Sequence, residues 1–323
     1  MADELARDFS PGKVIVLQST VPPYTTQNVI GKTIENITGL KAGQDFGLAY
    51  SPERTQSPQV LRDLKAYPRI VGGIDEKSAF ITSQVYSTFA PSIIKMGSLV
   101  AAELEKLIEN TYRDVNIAFA NEWARICELY GVDAYEIIKA ANSQPYSHIL
   151  NPGLVGGHCI PMDPYYVISD ARGRGFEPRL MQTARDINES LFQHIVDMVD
   201  EGLEKVVILG LSFKKDVKSF ETSHTLKLVS LLAKKGYDVT VHDPFLDDAA
   251  FQFKTDPDLY HAIENSDCVI LSTAHSQYES LNFSKIKNIM RGDLIIDVRG
   301  MFHPSEVLAS GLRYKGIGRI LSD

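Results

Sequence analysis

A run of apolar residues near the middle of the chain constrains its architecture most. The residues recur every three or four positions, with Gly131 as a stop signal, and they are Leu104, Leu107, Ile108, Tyr112, Val115, Phe119, Trp123, Ile126 and Tyr130. This spacing predicts an amphipathic α-helix. Because a helix beyond about 25 residues is unusual within one globular domain, we expect it to cross between domains or to pack against a partner subunit.

The segments on either side of this helix have the rhythm of an α/β fold. Strand-like runs lie at residues 13–17, 46–50, 69–72, 205–211, 238–242, 268–272 and 294–298. Helix-like segments lie at residues 25–36, 76–89 and 223–235. Strands that alternate with helices predict parallel sheets. We therefore predict an α/β protein with three regions, residues 1–97, a mainly helical region at 98–202, and residues 203–323.

Composition excludes several classes of function. The 323 residues include 41 acidic and 33 basic side chains, for a net charge of −8, which argues against binding to nucleic acid. No apolar run approaches the roughly 18 residues that a membrane span needs, and the first residues do not form a secretory signal. The three cysteines lie too far apart for a disulfide framework or a CxxC metal site. We expect a soluble, cytoplasmic protein without a bound metal.

A dinucleotide-binding fingerprint is missing from the chain. Such a fingerprint requires a strand, the sequence GxGxxG and a helix within about 30 residues, and only about a dozen residues precede the first predicted strand. Gly173 and Gly175 run into Pro178 without a preceding strand, and Gly316 and Gly318 have no helix after them. We interpret all four as turn glycines.

The segment at residues 151–164, NPGLVGGHCIPMDP, has the strongest indication of chemistry. Its glycines, Gly156 and Gly157 among them, allow a ligand to approach the backbone closely. If a helix begins near Cys159, its N–H groups favour the thiolate, and Asp163 lies on the same side. The alternative is a buried structural cysteine in a glycine turn. A cysteine hydrolase is less favoured, because His158 is badly placed to act on its own neighbour.

A second candidate pair lies on the long helix. Lys106 and Asn110 are four residues apart, so they share a helix face opposite the apolar stripe. An exposed Lys/Asn pair is ordinarily only a solvated face. The pair gains a functional meaning if this face meets Cys159.

Five segments in fixed order carry a family resemblance. They are STVPP (19–23), SPER (51–54), ELEKLIENTYRDVNIAFANE (103–122), GGHCIPMDP (156–164) and GLSFKKD (210–216). Together they resemble the UDP-glucose/GDP-mannose dehydrogenase family, and GGHCIPxDP is most similar to the branch that oxidises UDP-N-acetylhexosamines. The resemblance implies that residues 1–97 are the C-terminal part of an NAD-binding Rossmann domain. It also implies a central helical dimerisation domain at 98–202 and a Rossmann-like UDP-binding domain at 203–323.

The resemblance also implies a reaction and its residues. The sugar's 6-alcohol is oxidised to an aldehyde, Cys159 traps it as a thiohemiacetal, and a second oxidation yields a thioester that water hydrolyses. Lys106 is expected to stabilise oxyanions and Asn110 to orient the intermediate. Asp163 is expected to hold or activate a water. The remaining catalytic candidates are Thr20, which shares that role, and Glu53, which assists hydrolysis.

Substrate, cofactor and partners follow from the same resemblance. Lys214 and Lys215 are expected to hold the diphosphate as point charges, and Arg299 follows a strand end, where ligands bind in open α/β sheets. The other expected substrate-binding residues are Gly156, Gly157, His158 and Tyr146, which matches an arginine that reaches the neighbouring subunit's ligand in relatives. Ser19 and Thr20 are expected to face the NAD.

We expect a homodimer formed through the helix at residues 98–130. Because the fingerprint is missing, we expect little or no NAD reduction by this chain alone and a companion chain that supplies the missing half of the Rossmann domain. The alternative is a non-catalytic subunit for nucleotide-sugar binding or assembly.

Overall fold

The computed structural model describes residues 2–7, 9–55, 59–246 and 251–319. The chain divides into two compact units. The first comprises Met1–Tyr112 and Met162–Pro178, and the second comprises Arg113–Pro161 and Arg179–Asp323. The division falls inside the long helix, so it groups the residues differently from the predicted boundaries at 97 and 202. Those boundaries stay a prediction.

The helices of the described residues are numbered in chain order. They are α1 (Ala2–Arg7), α2 (Lys32–Thr38), α3 (Val60–Ala66), α4 (Glu76–Tyr86), α5 (Leu99–Tyr130), α6 (Ala134–Ala141), α7 (Asp163–Gly173), α8 (Arg179–Met198), α9 (His224–Lys234), α10 (Leu259–Ile263), α11 (Phe283–Ile289) and α12 (Pro304–Ala309). A π-helical turn, Thr26–Gly31, leads into α2, and a 3₁₀ turn covers Ser276–Ser280. None of these helices is both long and apolar enough to span a membrane.

The first unit contains a four-stranded sheet in the order β1-β2-β3-β4. Its strands are β1 (Val14–Leu17), β2 (Gly47–Tyr50), β3 (Arg69–Gly73) and β4 (Ile93–Met96). The pairs β1–β2 and β3–β4 are parallel, whereas β2 and β3 run antiparallel, with Tyr50 opposite Gly72. The alternation of strands and helices does not predict this antiparallel pair, because strand direction depends on the path of the connection at residues 51–68.

The second unit contains a six-stranded, fully parallel sheet in the order β10-β9-β8-β5-β6-β7. Its strands are β5 (Lys205–Leu209), β6 (Asp238–His242), β7 (Lys254–Thr255), β8 (Cys268–Leu271), β9 (Leu294–Asp297) and β10 (Arg313–Gly316). The central strands are buried on both faces, as parallel sheets require. The predicted parallel α/β fold is confirmed here, with strand ends within two residues of the prediction. Ligands bind such sheets at the carboxyl ends of the strands, where the order reverses beside β5.

The prediction of one helix beyond 25 residues is confirmed, since α5 has 32 residues and ends before Gly131, whose φ is +67°. Its burial pattern is mixed, because polar side chains are buried beside apolar ones such as Leu107 and Ala120. The exposed positions include the apolar residues Leu104, Ile108, Tyr112, Phe119 and Trp123, whereas the buried positions include the polar residues Glu103, Lys106, Asn110, Asp114 and Asn121. A solvated role for Lys106 and Asn110 is therefore wrong.

Candidate active site

The carboxyl ends of β1 and β2 carry three of the predicted site residues. Ser19 is exposed and Thr20 is half-buried, both directly after β1. The backbone N–H of Glu53 donates to Gln18 O at 3.2 Å, which joins the loop after β2 to the loop after β1. The structure thus brings Glu53 next to the Ser19–Thr20 segment, as expected for neighbouring parallel strands.

Glu53 is held as a carboxylate by donors from its own loop and from β3. It accepts hydrogen bonds from Arg54 N at 2.7 Å and from Thr55 N at 2.6 Å, and Arg69 Nη2 lies at 3.1 Å. Partial burial acts to raise the pKa of Glu53, but the Thr55 hydrogen bonds and the Arg69 charge outweigh it, so the pKa is lowered. Glu53 therefore stays ionised over a wide pH range.

An ion-pair cluster links this loop to α5. Arg54 donates through Nε to Glu109 at 2.8 Å and lies 4.0 Å from Glu105, and Glu109 Oε2 is 3.9 Å from Lys106 Nζ. Partial burial and the neighbouring Glu109 charge raise the pKa of Glu105 to about 7, against the opposing charges of Arg54 and Lys106. The sequence analysis missed Arg54, Glu105 and Glu109, although SPER and the helical spacing of the two glutamates were the signals that could have found them.

Asn110, Asp163 and Lys106 form the buried part of this unit's site. Asn110 Nδ2 donates to Asp163 Oδ2 at 2.5 Å, and the three side chains are all buried. Burial raises the pKa of Asp163, while the Asn110 hydrogen bond and the Lys106 charge oppose the rise. The structure therefore brings together three residues that the sequence analysis had placed on two separate segments.

Tyr50 is a further residue of this neighbourhood that the sequence analysis missed. It ends β2, is fully buried, and its hydroxyl has no hydrogen-bond partner in the described part of the chain. Burial raises the pKa of Tyr50, and the charges of Glu103, Glu105 and Asp163 raise it further. Its position directly before SPER was the only available signal.

The start of the helix after β1 is already occupied by a carboxylate. Glu103, which is fully buried, accepts hydrogen bonds from Tyr24 N at 2.6 Å, Thr26 N at 2.8 Å and Thr26 Oγ1 at 2.6 Å. The first amides of this helical segment are therefore bound to a protein carboxylate.

In the second unit, Cys159 and His158 lie exposed in a bend. The alternative of a buried structural cysteine is therefore wrong. The next helix, α7, begins at Asp163, four residues after Cys159, and Pro164 suits its first turn. Cys127 and Cys268 are the buried cysteines, and burial raises the pKa of both thiols.

The segment at residues 151–162, which we call the cysteine loop, has glycines that lie against the start of α9 and the segment before it. A β-carbon on Gly156 would stand 2.5 Å from His224 Nδ1, and one on Gly157, whose φ is +90°, would stand 3.0 Å from the Phe213 ring. Gly157 N also donates to Thr222 O at 3.0 Å. These close approaches are the physical reason for glycine at both positions.

Arg299 follows β9, as predicted, but its guanidinium is bound to protein atoms. Nε donates to Ser272 O at 2.8 Å, Nη1 to Leu154 O at 3.2 Å, and Nη2 to His224 Nε2 at 3.1 Å. Burial and the adjacent Arg299 charge lower the pKa of His224 to about 3, so the imidazole is neutral. Arg299 thus connects the cysteine loop to the carboxyl edge of the sheet.

The loop at residues 210–216, the predicted diphosphate site, is also closed by a carboxylate. Leu211 N and Ser212 N both donate to Asp243 Oδ2 at 2.7 Å. Burial acts to raise the pKa of Asp243, but the His275 and backbone hydrogen bonds outweigh it, and the pKa is lowered. The amides of Leu211 and Ser212 are therefore bound to protein and are not available to any diphosphate.

Three predicted substrate-binding residues lie at the surface of this unit or partly buried in it. Lys214 is half-buried, and Lys215 is exposed in an ion pair with Glu279 at 2.6 Å. Tyr146 is 89% exposed. Their roles toward a ligand stay predictions.

Comparison with known proteins matches three domains of one family along the chain. Residues 1–90 match the NAD binding domain of the UDP-glucose/GDP-mannose dehydrogenase family, residues 100–190 its central domain, and residues 207–304 its UDP binding domain. UDP-N-acetyl-D-mannosamine dehydrogenase from Pyrococcus horikoshii is 35% identical over 98% of this chain and 75% of its own length. The chain belongs to the UDP-glucose/GDP-mannose dehydrogenase family.

Solved structures of relatives agree with this membership of the dehydrogenase family. The structure of the Pyrococcus horikoshii enzyme has a TM-score of 0.90 at 33% identity and covers 98% of this chain and 75% of that one. An NDP-N-acetyl-D-galactosaminuronic acid dehydrogenase from Methanosarcina mazei has a TM-score of 0.90 at 32% identity and covers 99% and 72%, respectively. The fold is therefore that of a nucleotide-sugar dehydrogenase, and the chain is an oxidoreductase of that family.

Proposed function

We propose that this chain binds a UDP-N-acetylhexosamine and uses Cys159 to carry the sugar's C6 carbon through oxidation to the uronate. One observation carries the proposal, the buried hydrogen bond between Asn110 and Asp163 beside the Lys106 amine. Asp163 follows the exposed Cys159 by four residues. The names of the Pyrococcus horikoshii and Methanocaldococcus jannaschii relatives, both UDP-N-acetyl-D-mannosamine dehydrogenases, support the substrate class.

Each side chain has a role that suits its surroundings. The Cys159 thiolate adds to the C6 aldehyde, and the carbonyl electrons move onto oxygen. The Lys106 ammonium neutralises this oxyanion, and Asn110 has a second N–H to donate to it.

Thioester hydrolysis needs a group that takes a proton from water. The raised pKa of Asp163 suits this role, and we assign the holding of the water to the half-buried Thr20 hydroxyl. Glu53, with its lowered pKa, supports the site as a fixed negative charge and does not take up the proton.

The uridine diphosphate is proposed to lie at the carboxyl edge of the second unit's sheet. Lys214 and Lys215 supply positive charge there, and Arg299 holds the edge in place. The sugar would lie along the loop of Gly156, Gly157 and His158, with Tyr146 at its rim.

The chain alone is proposed to bind uridine nucleotides without reducing NAD. The sequence carries no GxGxxG motif between a strand and a helix, which is the feature that binds the NAD pyrophosphate. Ser19 and Thr20 are proposed to face the NAD, with the dinucleotide fingerprint supplied from outside residues 1–323. In a thermal-shift assay, UDP and UDP-N-acetylhexosamines should raise the melting temperature, and NAD should not. A larger shift with NAD than with UDP would contradict this assignment.

The thiol step can be tested without any oxidant. The 6-aldehyde of UDP-N-acetylmannosamine, labelled with ¹³C at C6, should form a thiohemiacetal with the protein, visible by NMR, because addition of S–H across the carbonyl needs no electron acceptor. Cys159→Ser should abolish the adduct. The matched control Cys127→Ser should keep it, since Cys127 is buried. Binding of UDP without capture of the aldehyde would favour the non-catalytic subunit.

We further propose that α5 forms the core of a homodimer. Its apolar side chains Ile108, Phe119 and Trp123 are exposed along one stripe. Ile108→Glu should convert a dimer into a monomer in light scattering, and Arg113→Glu, on an exposed position off the stripe, should not. A monomeric unmodified chain would refute the dimer.

A further inference from the structure

The entry to the cysteine loop is held by a single side chain of α5. Asn121 Oδ1 accepts the N–H of Gly153 at 2.7 Å, and Asn121 Nδ2 donates to the carbonyl of Gly153 at 3.2 Å. Asn121 is 1% exposed, and Gly153 is also buried. One amide thus satisfies both backbone polar groups of a loop residue, which a buried loop otherwise leaves unpaired.

The buried carboxylate of Asp114 dictates the orientation of the Asn121 amide. It does so through Asn188, which hydrogen-bonds to both residues. Asp114 only accepts hydrogen bonds when ionised, so the NH₂ group of Asn188 must face it, at 2.8 Å from Asp114 Oδ1. The Asn188 oxygen then accepts from Asn121 Nδ2 at 2.9 Å. Arg185 fixes the far end, with Nη1 at 2.6 Å from Asp114 Oδ1. Reversing the side-chain amide of Asn121 or of Asn188 would place two donors or two acceptors against each other.

The loop beyond Gly153 has two further anchors before it reaches the thiol. Leu154 O accepts from Arg299 Nη1, and Gly157 N donates to Thr222 O. Cys159 is the second residue after the last anchor. A shift at Gly153 is therefore transmitted to the cysteine through a short, constrained segment.

We propose that Asn121 is a positioning residue that sets the path of the cysteine loop and so the placement of the Cys159 thiol against bound sugar. This inference rests on the proposed role of Cys159. A positioning role predicts loss of reaction with a bound, oriented aldehyde. It does not predict loss of the thiol's reaction with a small reagent, which needs no orientation.

The test uses Asn121→Ala and Asn121→Asp, with Asn116→Ala as the matched control. Asn116 lies on the same helix and also holds loop backbone, through His148 O at 2.6 Å and Leu150 N at 2.8 Å, but farther from the thiol. Asn121→Asp keeps the bond from Gly153 N and loses the donations to Gly153 O and to Asn188 Oδ1. It therefore serves if the alanine variant does not fold.

Two readouts separate this inference from the function on which it rests. Amide hydrogen exchange should become at least about tenfold faster across residues 153–159 in the Asn121 variants and stay unchanged there in Asn116→Ala. Capture of the UDP-sugar aldehyde should fall by about 10- to 100-fold. Alkylation of Cys159 by iodoacetamide at pH 9 and the Kd for UDP should stay within about twofold.

The remaining outcomes of these measurements each refute one part of the inference. Unchanged exchange at residues 153–159 overturns the anchor, whatever the chain's activity. Equal losses of aldehyde capture in Asn121→Ala and Asn116→Ala show general loosening and overturn the positioning role. Faster exchange in a protein whose unmodified form captures no aldehyde refutes the proposed function, and with it the link to catalysis.

Discussion

Loss of the Arg185 guanidinium should destabilise the second unit strongly. Arg185 and Asp114 form an ion pair at 2.6 Å in which the two side chains are 1% and 0% exposed. Removing one partner of a buried pair leaves the other charge without compensation, at a cost of about 3–5 kcal/mol. We expect Arg185→Met to lower the free energy of unfolding by this amount near pH 8, since among the described residues a single hydrogen bond, from Asn188 Nδ2, then remains to the Asp114 carboxylate.

The pH dependence of this loss has a definite sign. Burial already raises the pKa of Asp114, and the Arg185 charge opposes the rise. Without Arg185 the folded-state pKa rises further above the unfolded value of about 3.9. An acid with a raised folded-state pKa destabilises the fold above that pKa, and the penalty fades as pH falls toward the unfolded value. The deficit of Arg185→Met should therefore shrink between pH 8 and pH 5.

The measurement is urea unfolding followed by tryptophan fluorescence. Trp123 is the chain's only tryptophan, and it lies in the same unit as Arg185, so its emission reports on that unit. The double variant Arg185→Met/Asp114→Leu should recover much of the lost stability, because no buried charge remains. A loss below about 1 kcal/mol, or a deficit that grows as pH falls, would refute the reasoning.

Two further predictions concern the cysteine loop and the cluster on α5. Gly156→Ala should abolish aldehyde capture, because its β-carbon would stand 2.5 Å from His224 Nδ1, whereas Gly173→Ala, with open space around its β-carbon, should leave capture unchanged; intact capture in Gly156→Ala would contradict the packing. Glu105→Gln should remove a fall in stability with rising pH between about pH 4.5 and 7, since the pKa of Glu105 is raised to about 7. Unfolding free energies measured across that range check this, and an unchanged slope in the variant would assign it to another group.

Local patterns in the sequence predicted much of the fold. The three-to-four spacing along α5 and its stop at Gly131 predicted a single long helix, which the structure confirms. The strand predicted at residues 238–242 has those bounds in the structure. Such predictions succeed because helical and strand periodicities, and the positive φ that glycine allows, are properties of a short segment.

The site could be predicted only in part. The residue types Cys159, Lys106 and Asn110 stood out by spacing and resemblance. Glu109, Tyr50 and Asn121 did not stand out. Their residue types carry no local signal, and their contacts form only when folding brings distant segments together. Their roles in catalysis are the subject of the proposals above.

The sequence by itself determined the long helix, seven of the ten strands in the described residues, the family, and the position of the thiol between glycines and an aspartate. Only the tertiary structure decided which face of α5 is buried and which amide groups carboxylates occupy. Glu103 bonds to Thr26 across 77 residues of chain, and Asn121 to Gly153 across 32. Periodicity is local, whereas the burial of a polar face depends on partners that only folding brings within hydrogen-bonding distance.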